Sequence, residues 1–265
     1  MRRFSADYLT ETRREMWEDS HEALADLRLA EADSVLDVGC GTGELTAVLR
    51  QGCPGRVVGL DRDPQLLAHV SEPVVRGDAE SLPFPDDTFD VVVCQALLVN
   101  LPDPAAVVRE FARVAHERVA AIEPDNAAVT VDSTVDAEAA LARRARERYL
   151  QGAETDVALG ASVREVFATA GLTDVRVRRY DHERVVEPPY ADHEVEAATR
   201  KASGADLRER RATMSGTAEE LDALREAWRA MGRDVLQQVC QGEYERREVV
   251  PFHVVVGRVD DALET

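Results

Sequence analysis

The sequence predicts an α/β protein built on a doubly wound, seven-stranded, mostly parallel sheet, with an N-terminal helix and a helical insertion before the last strand. Three observations carry this. From residue 34 onward, short apolar runs bounded by Gly, Pro and Asp alternate with helical patterns. One run, "FDVVVCQ" (89–95), is apolar on both faces, as a central parallel strand is. Another, "SVLDVG", runs into alternating glycines and then a helix, a strand–turn–helix of the kind that receives a nucleotide.

Taken in order, residues 5–28 read as helical, with Leu9, Met16, Trp17, Leu24 and Leu27 as candidate core contacts. "SVLDVG" is the first strand; a helix near 44–51 comes next and is stopped by Gly52 and Pro54. "RVVGLD" (56–61) is the second strand, before a helix with Pro64 in its first turn. "PVVRGD" (73–78) is the third and "FDVVVCQ" the fourth. Asp103-Pro104 reads as N-cap and first helical residue, opening a helix whose stripe is Val107, Val108, Phe111 and Val114. "RVAAIEPD" (118–125) is the fifth strand.

Helices near 136–151 and 161–170 lead to a long sixth strand, "TDVRVRRYDHERVVEPP". A helical stretch lies near 191–214. Thr217 and Glu220 then form a T-x-x-E capping box. The helix after it carries Leu221, Leu224, Trp228, Met231, Val235 and Val239 at 3–4 spacing. "EVVPFHVVVGRV" (248–259) closes the sheet. The expected organisation is an N-terminal helical cover (1–30), an α/β cofactor-binding core (31–187), a helical lid insertion (188–245) and a final strand with tail (246–265).

Composition bounds the partners. The 265 residues include 51 acidic and 32 basic ones, a net charge of −19, which disfavours a nucleic-acid backbone. Lys201 is the single lysine; the other basic residues are arginine. Either a high-salt cytoplasm or a GC-rich genome produces that balance. The sequence contains no apolar run long enough to span a membrane, and "MRRFSADYLTETRREMWED" has no apolar signal core. Four scattered cysteines point to reduced thiols and a cytoplasmic location.

Gly39, Gly41 and Gly43 let the backbone turn sharply and approach a ligand. The dinucleotide pattern G-x-G-x-x-G fails at its sixth position, which is Glu44. Asp37, two residues before the first glycine, would repel a pyrophosphate but attract a cation. S-adenosylmethionine, with its ammonium and sulfonium and no phosphate, fits such a loop. Asp61 ends the second strand, where a carboxylate accepts from ribose hydroxyls, and Asp78 ends the third, placed for the adenine amino group. Turn-forming aspartates would look the same at either position taken singly.

"VLDVGCGTG", "VVGLDRDPQLL", "GDAESLPFPDDTFDVVVCQALLVNLPDP" and "AAIEPD" together resemble the class I S-adenosylmethionine-dependent methyltransferases, nearest to the small-molecule group of ubiquinone- and menaquinone-biosynthesis type. The resemblance covers roughly residues 31–180. It implies a Rossmann-like methyltransferase fold with an antiparallel last strand, the cofactor S-adenosylmethionine and the product S-adenosylhomocysteine. It also implies roles: Asp37 and Gly39 toward the methionine moiety, Gly41 and Gly43 in the turn, Asp61 on the ribose, and Cys40 among the cofactor-binding residues. Arg62, Asp78 and Ala79 would lie by the adenine, and Cys94 and Gln95 near the methionine end. The chain departs from the pattern at Asn100, where relatives often carry histidine, and in "AHERVAA", where they carry a Pro-Gly-Gly turn.

Methyl transfer asks the protein mainly to align donor and acceptor, so dedicated catalytic residues leave little trace. Asn100 and Glu123 are the catalytic candidates; the alternatives are a loop-satisfying amide and a carboxylate that caps nearby backbone. The repeated "DHE" around His182 and His193 reads as a metal pair or, more plainly, as polar surface, and no metal is expected. Tyr8, Trp17, Tyr190 and Trp228 are candidates to line an acceptor pocket or cover the cofactor. The arginines at 143–148 suit either an anionic acceptor or a solvated face with Glu147.

The function expected is methyl transfer to a small-molecule acceptor at O, N, C or S. Methylation of RNA or protein is the first alternative, and cofactor binding without transfer is the second. A nicotinamide dehydrogenase is disfavoured by Asp37 and Glu44.

Overall fold

The computed structural model of the chain describes residues 6–13, 16–17 and 22–260. Its elements in chain order begin with α1 (Ala6–Arg13), β1 (Ser34–Val38), α2 (Glu44–Gly52), β2 (Arg56–Asp61), α3 (Pro64–Leu67) and β3 (Val74–Arg76). Then come β4 (Phe89–Gln95), α4 (Pro104–Val114), β5 (Ala115–Pro124), β6 (Thr130–Ser133), α5 (Glu138–Gly152) and α6 (Val163–Thr169). The chain ends with β7 (Thr173–Val186), α7 (Asp192–Ser203), α8 (Ala205–Arg210), α9 (Ala218–Gln241) and β8 (Arg246–Arg258).

The strands take the order β3-β2-β1-β4-β5-β8-β6, with β7 pairing β8 off that path. β1 to β5 are mutually parallel, and β8 runs antiparallel to β5. The doubly wound class is therefore as expected, as is the antiparallel last strand. Among the described residues the sheet has eight strands where seven are expected. The additional one is β6, four residues ("TVDS") paired with Thr130 opposite Val249, too short and too polar to show a period-2 signal.

The chain divides into two compact units. The first holds residues up to Pro124, Leu159–Tyr180 and Phe252 onward. Its core forms because β1 and β4 are apolar on both sides, so each sheet face needs a cover. Val107, Val108, Phe111 and Val114 of α4 pack into the same cluster as Leu36, Val92 and Val119, with Phe167 and Val163 of α6. Each of those α4 side chains is at most 1% exposed. Burial of each contributes about 1.5–3 kcal/mol. Asp103 caps α4 as the sequence implies, its carboxylate accepting from the Ala106 N–H at 3.0 Å. Register aligns the strand ends: Val38, Leu60, Cys94 and Ala121 stand level on four adjacent strands, so the carboxyl ends of β1, β2, β4 and β5 form one edge.

The N-terminal segment differs from the single helix expected over 5–28. α1 ends at Arg13, Met16 and Trp17 lie in a turn, and single 3-10 turns occupy Ala25–Leu27 and Leu29–Glu31. The five apolar residues expected in the core are all buried, from 0% for Met16 and Leu27 to 8% for Trp17. Trp17 stacks on Tyr180 with centroids 6.1 Å apart. Burying both Met16 and Trp17 in this way favours a turn over one straight rod, which would keep its stripe on a single line.

The second unit holds Asp125–Ala158 and Asp181–Pro251. α9 begins at the expected capping box: the Glu220 N–H donates to Thr217 Oγ1 at 3.2 Å and the Thr217 N–H to Glu220 Oε2 at 2.9 Å. Its apolar face buries Met231, Val235 and Val239 with Ala198 and Tyr244. The helix expected over 191–214 is split, because Gly204 at φ +66° caps α7 in the left-handed conformation and opens α8. Glu138, 1% exposed, is held by Lys201, by Arg246 at 3.2 Å and by the Tyr244 hydroxyl at 2.9 Å. The lone lysine is thus committed to a buried ion cluster.

Several side chains named as candidates belong to this unit's packing. Tyr190 spends its hydroxyl on the Tyr244 backbone, donating to the carbonyl at 2.9 Å and accepting from the N–H at 2.8 Å. Trp228 packs among the apolar residues of α5, α8 and α9. Arg143 pairs with Glu147 at 3.1 Å in solvent, whereas Arg146 turns inward to the Val129 carbonyl at 2.7 Å. His182 is buried and His193 half-buried. Among the described residues, no cluster of three or more His, Cys, Asp or Glu is arranged to hold a metal, and no helix is long and apolar enough to cross a membrane.

Candidate functional site

The site is built on the carboxyl edge of the first unit. Gly39, Gly41 and Gly43 adopt φ of +71°, +57° and +90°, a region that side-chain-bearing residues rarely enter. The loop is tied to the second strand at both ends of its turn. The Gly39 and Cys40 N–H groups donate to the Leu60 carbonyl at 2.7 and 3.0 Å. The Gly41 N–H donates to Asp61 Oδ2 at 3.0 Å, while Asp61 Oδ1 accepts from the Asp63 N–H at 2.8 Å. Asp61 therefore shapes the loop. Each carboxylate oxygen accepts more than one bond, so a further hydroxyl donor is compatible with both contacts.

Asp37 is 1% exposed and points into this edge, where the Thr46 hydroxyl of α2 donates to Oδ2 at 2.6 Å. Burial pushes its carboxyl up to about 6, against the lowering effects of Thr46 and Arg13; Asp61 and Glu44 push it further up. Cys40 and Cys94 are buried thiols, both held well above the ordinary range by burial, with Asp37 and Asp61 adding to the effect on Cys40 and Glu123 and Asp37 to that on Cys94. They are inert as nucleophiles. Gln95, 3% exposed, donates to Met16 Sδ at 3.0 Å, and its Oε1 is a buried acceptor without a hydrogen-bond partner among the described residues.

Glu123 stands at the end of β5, fully buried. Its Oε1 accepts from the Leu97 and Leu98 N–H groups at 3.0 and 2.9 Å, and its Oε2 from Val99 at 3.3 Å. Burial nevertheless raises its carboxyl to about 7. The loop held this way carries Leu97 against Gly39, where a Cβ would come within 3.1 Å of it. Asn100, 7% exposed, donates its side-chain amide to the Ala96 carbonyl at 2.8 Å in the same loop. Both catalytic candidates thus lie at the edge with their polar groups engaged by backbone.

Asp78 and Arg62 are exposed, and Ala79 is buried. Asp78 Oδ1 accepts from the Glu80 N–H at 3.0 Å, and β3 pairs Arg76 with Asp61, so Asp78 comes next on the same edge. Asp37, Asp61, Cys94 and Gln95 are brought to one edge, as the strand pattern in the sequence implies. Sequence reasoning missed Thr46, Leu97 and Arg13, and named Leu9 only as a core contact. Leu9 and Arg13, four residues apart and hence on one helix face, seat α1 on the loop. A Cβ at Gly41 would meet Leu9 Cδ1 at 2.9 Å and Arg13 Nη1 at 3.4 Å. The side chain of Tyr8 lies outside the described residues.

Comparison with known proteins agrees with this geometry. Residues 36–122 match the family described as "Methyltransferase domain". Over 172 residues the chain is 31% identical to the demethylmenaquinone methyltransferase of Shouchella clausii, covering 56% of this chain and 73% of that protein. The chain belongs to the class I S-adenosylmethionine-dependent methyltransferases. It is also 38% identical over 106 residues to the demethylmenaquinone methyltransferase of Lactiplantibacillus plantarum, but spans only 45% of that protein's length and 35% of its own. A solved protein of Bacillus halodurans, described as a candidate methyltransferase, shares the fold at a TM-score of 0.53 and 15% identity, covering 91% of this chain and 99% of that one. Within the methyltransferase family, the match from 36 to 122 takes in the end of β1, the glycine loop, Asp61, Asp78 and Gln95, and ends one residue before Glu123.

Proposed function

We propose that the chain binds S-adenosylmethionine at the glycine loop and transfers its methyl group to a small-molecule acceptor, of the quinone type on which the menaquinone relatives act by name. The observation that carries this is Asp37: a fully buried carboxylate beside a glycine loop, with Asp61 and Glu44 near it. Such a site repels phosphates and gains from a cation. The residues present suit this cofactor: an acidic pocket for an ammonium, an unpartnered acceptor in Gln95 Oε1 that a donor can satisfy, and a glycine cradle. When bound, the cofactor supplies a methyl carbon made electrophilic by its sulfonium.

The chain's own residues then bind and orient. Asp37 and Gln95 would hold the amino-acid end, and Asp61 the ribose. Asp78 and Ala79 would face the adenine, with Arg62 beside it. Glu123 fixes the loop bearing Leu97, which walls the pocket at Gly39. Nothing in this chemistry asks for a nucleophile from the protein, in keeping with the high, inert thiols of Cys40 and Cys94. The four cysteines are free, which suits a cytoplasmic setting.

The test is turnover. Purified protein is given S-adenosylmethionine and either a demethylated quinone, bulk RNA or a protein mixture, and S-adenosylhomocysteine is measured. Product with the quinone or another small acceptor supports the proposal. Product with RNA or protein alone overturns the acceptor class, and tight binding without product in any arm overturns the transfer.

A further inference from the structure

We propose that Arg13 of α1 binds the carboxylate of the cofactor's amino-acid tail, and so sets the requirement for an intact amino acid. This rests on the S-adenosylmethionine reading above and deepens it. The tail carries both an ammonium and a carboxylate. Asp37, Glu44 and Asp61 favour the first and would repel the second, so the site needs a cation. Arg13 supplies it. Its guanidinium reaches the glycine loop, its charge acts on both Asp37 and Cys40, and its side chain is only 9% exposed.

Its present contacts leave capacity for a ligand. The pairing with Glu44 is 3.7 Å, too long for a hydrogen bond, and the contact with the Gln95 carbonyl is 3.5 Å, at the outer limit of one. A guanidinium has five N–H donors in a planar fork that matches a carboxylate with two parallel bonds. The donor that would meet the carboxylate and the acceptor that would meet the ammonium are also adjacent: Arg13 donates to the Gln95 carbonyl, and the buried Gln95 Oε1, unpartnered among the described residues, is an acceptor an ammonium would satisfy. Leu9, one turn earlier, packs on Gly41 and holds α1 at this height.

The experiment measures binding by calorimetry with three thioether ligands. S-adenosylhomocysteine has the whole tail, its decarboxylated form keeps only the amine, and methylthioadenosine has neither group. Wild type should bind S-adenosylhomocysteine about tenfold or more tighter than the decarboxylated form, the size of a charge-assisted pair. Arg13→Ala should abolish that preference while leaving methylthioadenosine affinity within about twofold, and Arg13→Lys should restore part of it. Equal losses for all three ligands would mean that Arg13 only seats α1, and would overturn the proposal. So would a wild type indifferent to the carboxylate, a result independent of any variant. Failure of wild type to bind all three would instead remove the underlying cofactor reading.

Discussion

Glu123 offers a test in which the structure fixes both sign and size. Its two oxygens take three backbone N–H groups, two on Oε1 and one on Oε2. Glutamine keeps one acceptor oxygen and turns an N–H₂ toward Val99, setting donor against donor. A buried donor left unsatisfied costs about 1–3 kcal/mol. Glu123→Ala removes the acceptor for all three and should cost more than Glu123→Gln. The pH dependence adds a second signature. With its carboxyl raised from 4.5 to about 7, native Glu123 keeps a proton that the unfolded chain gives up. Wild-type stability from this group is therefore full below about pH 4.5 and is lost as pH rises through about 7, on the order of 3 kcal/mol. Glutamine cannot titrate. The Glu123→Gln penalty should show near pH 4 as a melting-temperature drop of roughly 3–9 °C, and should shrink, or reverse, by pH 8.5. Thermal melts by circular dichroism across that range decide it. No penalty at pH 4 would refute the clamp; a penalty constant with pH would refute the buried titration.

The same geometry sets three further outcomes. Asp37, raised to about 6, is only about one-tenth ionised at pH 5, so S-adenosylhomocysteine should bind about tenfold more weakly there than at pH 8, while methylthioadenosine stays flat; calorimetry at both pH values checks this. Gly41→Ala, at φ +57° with Leu9 within 2.9 Å of the added methyl, should cost about 1–2 kcal/mol in stability and weaken cofactor binding at least as much, measured by melting with and without ligand. A net charge of −19 screened by salt should make the fold weaken on dialysis from molar salt, tracked by circular dichroism; indifference to salt would favour codon bias as the origin of the arginines.

Much of the first unit was legible because its signals are local. Strand length and two-faced apolarity placed β1, β2 and β4 to within a residue, and Asp103 and Thr217 announced their helices through cap chemistry. The carboxylates of the strand edge were legible for the same reason: Asp37 and Asp61 sit at fixed offsets from glycines and strand ends. What escaped depends on distant chain. Arg13 matters through the loop at Gly41 and the Gln95 carbonyl, 82 residues away along the chain from the latter. The sequence offers Glu123 as a catalytic candidate or, more readily, as a cap on nearby backbone, and only the register of β4 with β5 brings the Leu97–Val99 amides to it. β6 was missed because four residues, three of them polar, carry no periodicity. The break at Gly204 could have been noticed, since glycine commonly ends a helix in the left-handed conformation.

Whether a buried carboxylate beside the glycine loop selects a cationic, phosphate-free cofactor is decided by S-adenosylhomocysteine binding to wild type and to Asp37→Ala. Calorimetry gives the affinities, and circular dichroism confirms the fold. Wild type should bind measurably, and the variant should bind about tenfold or more weakly with its secondary structure intact. Equal affinity for the two proteins would contradict that selection.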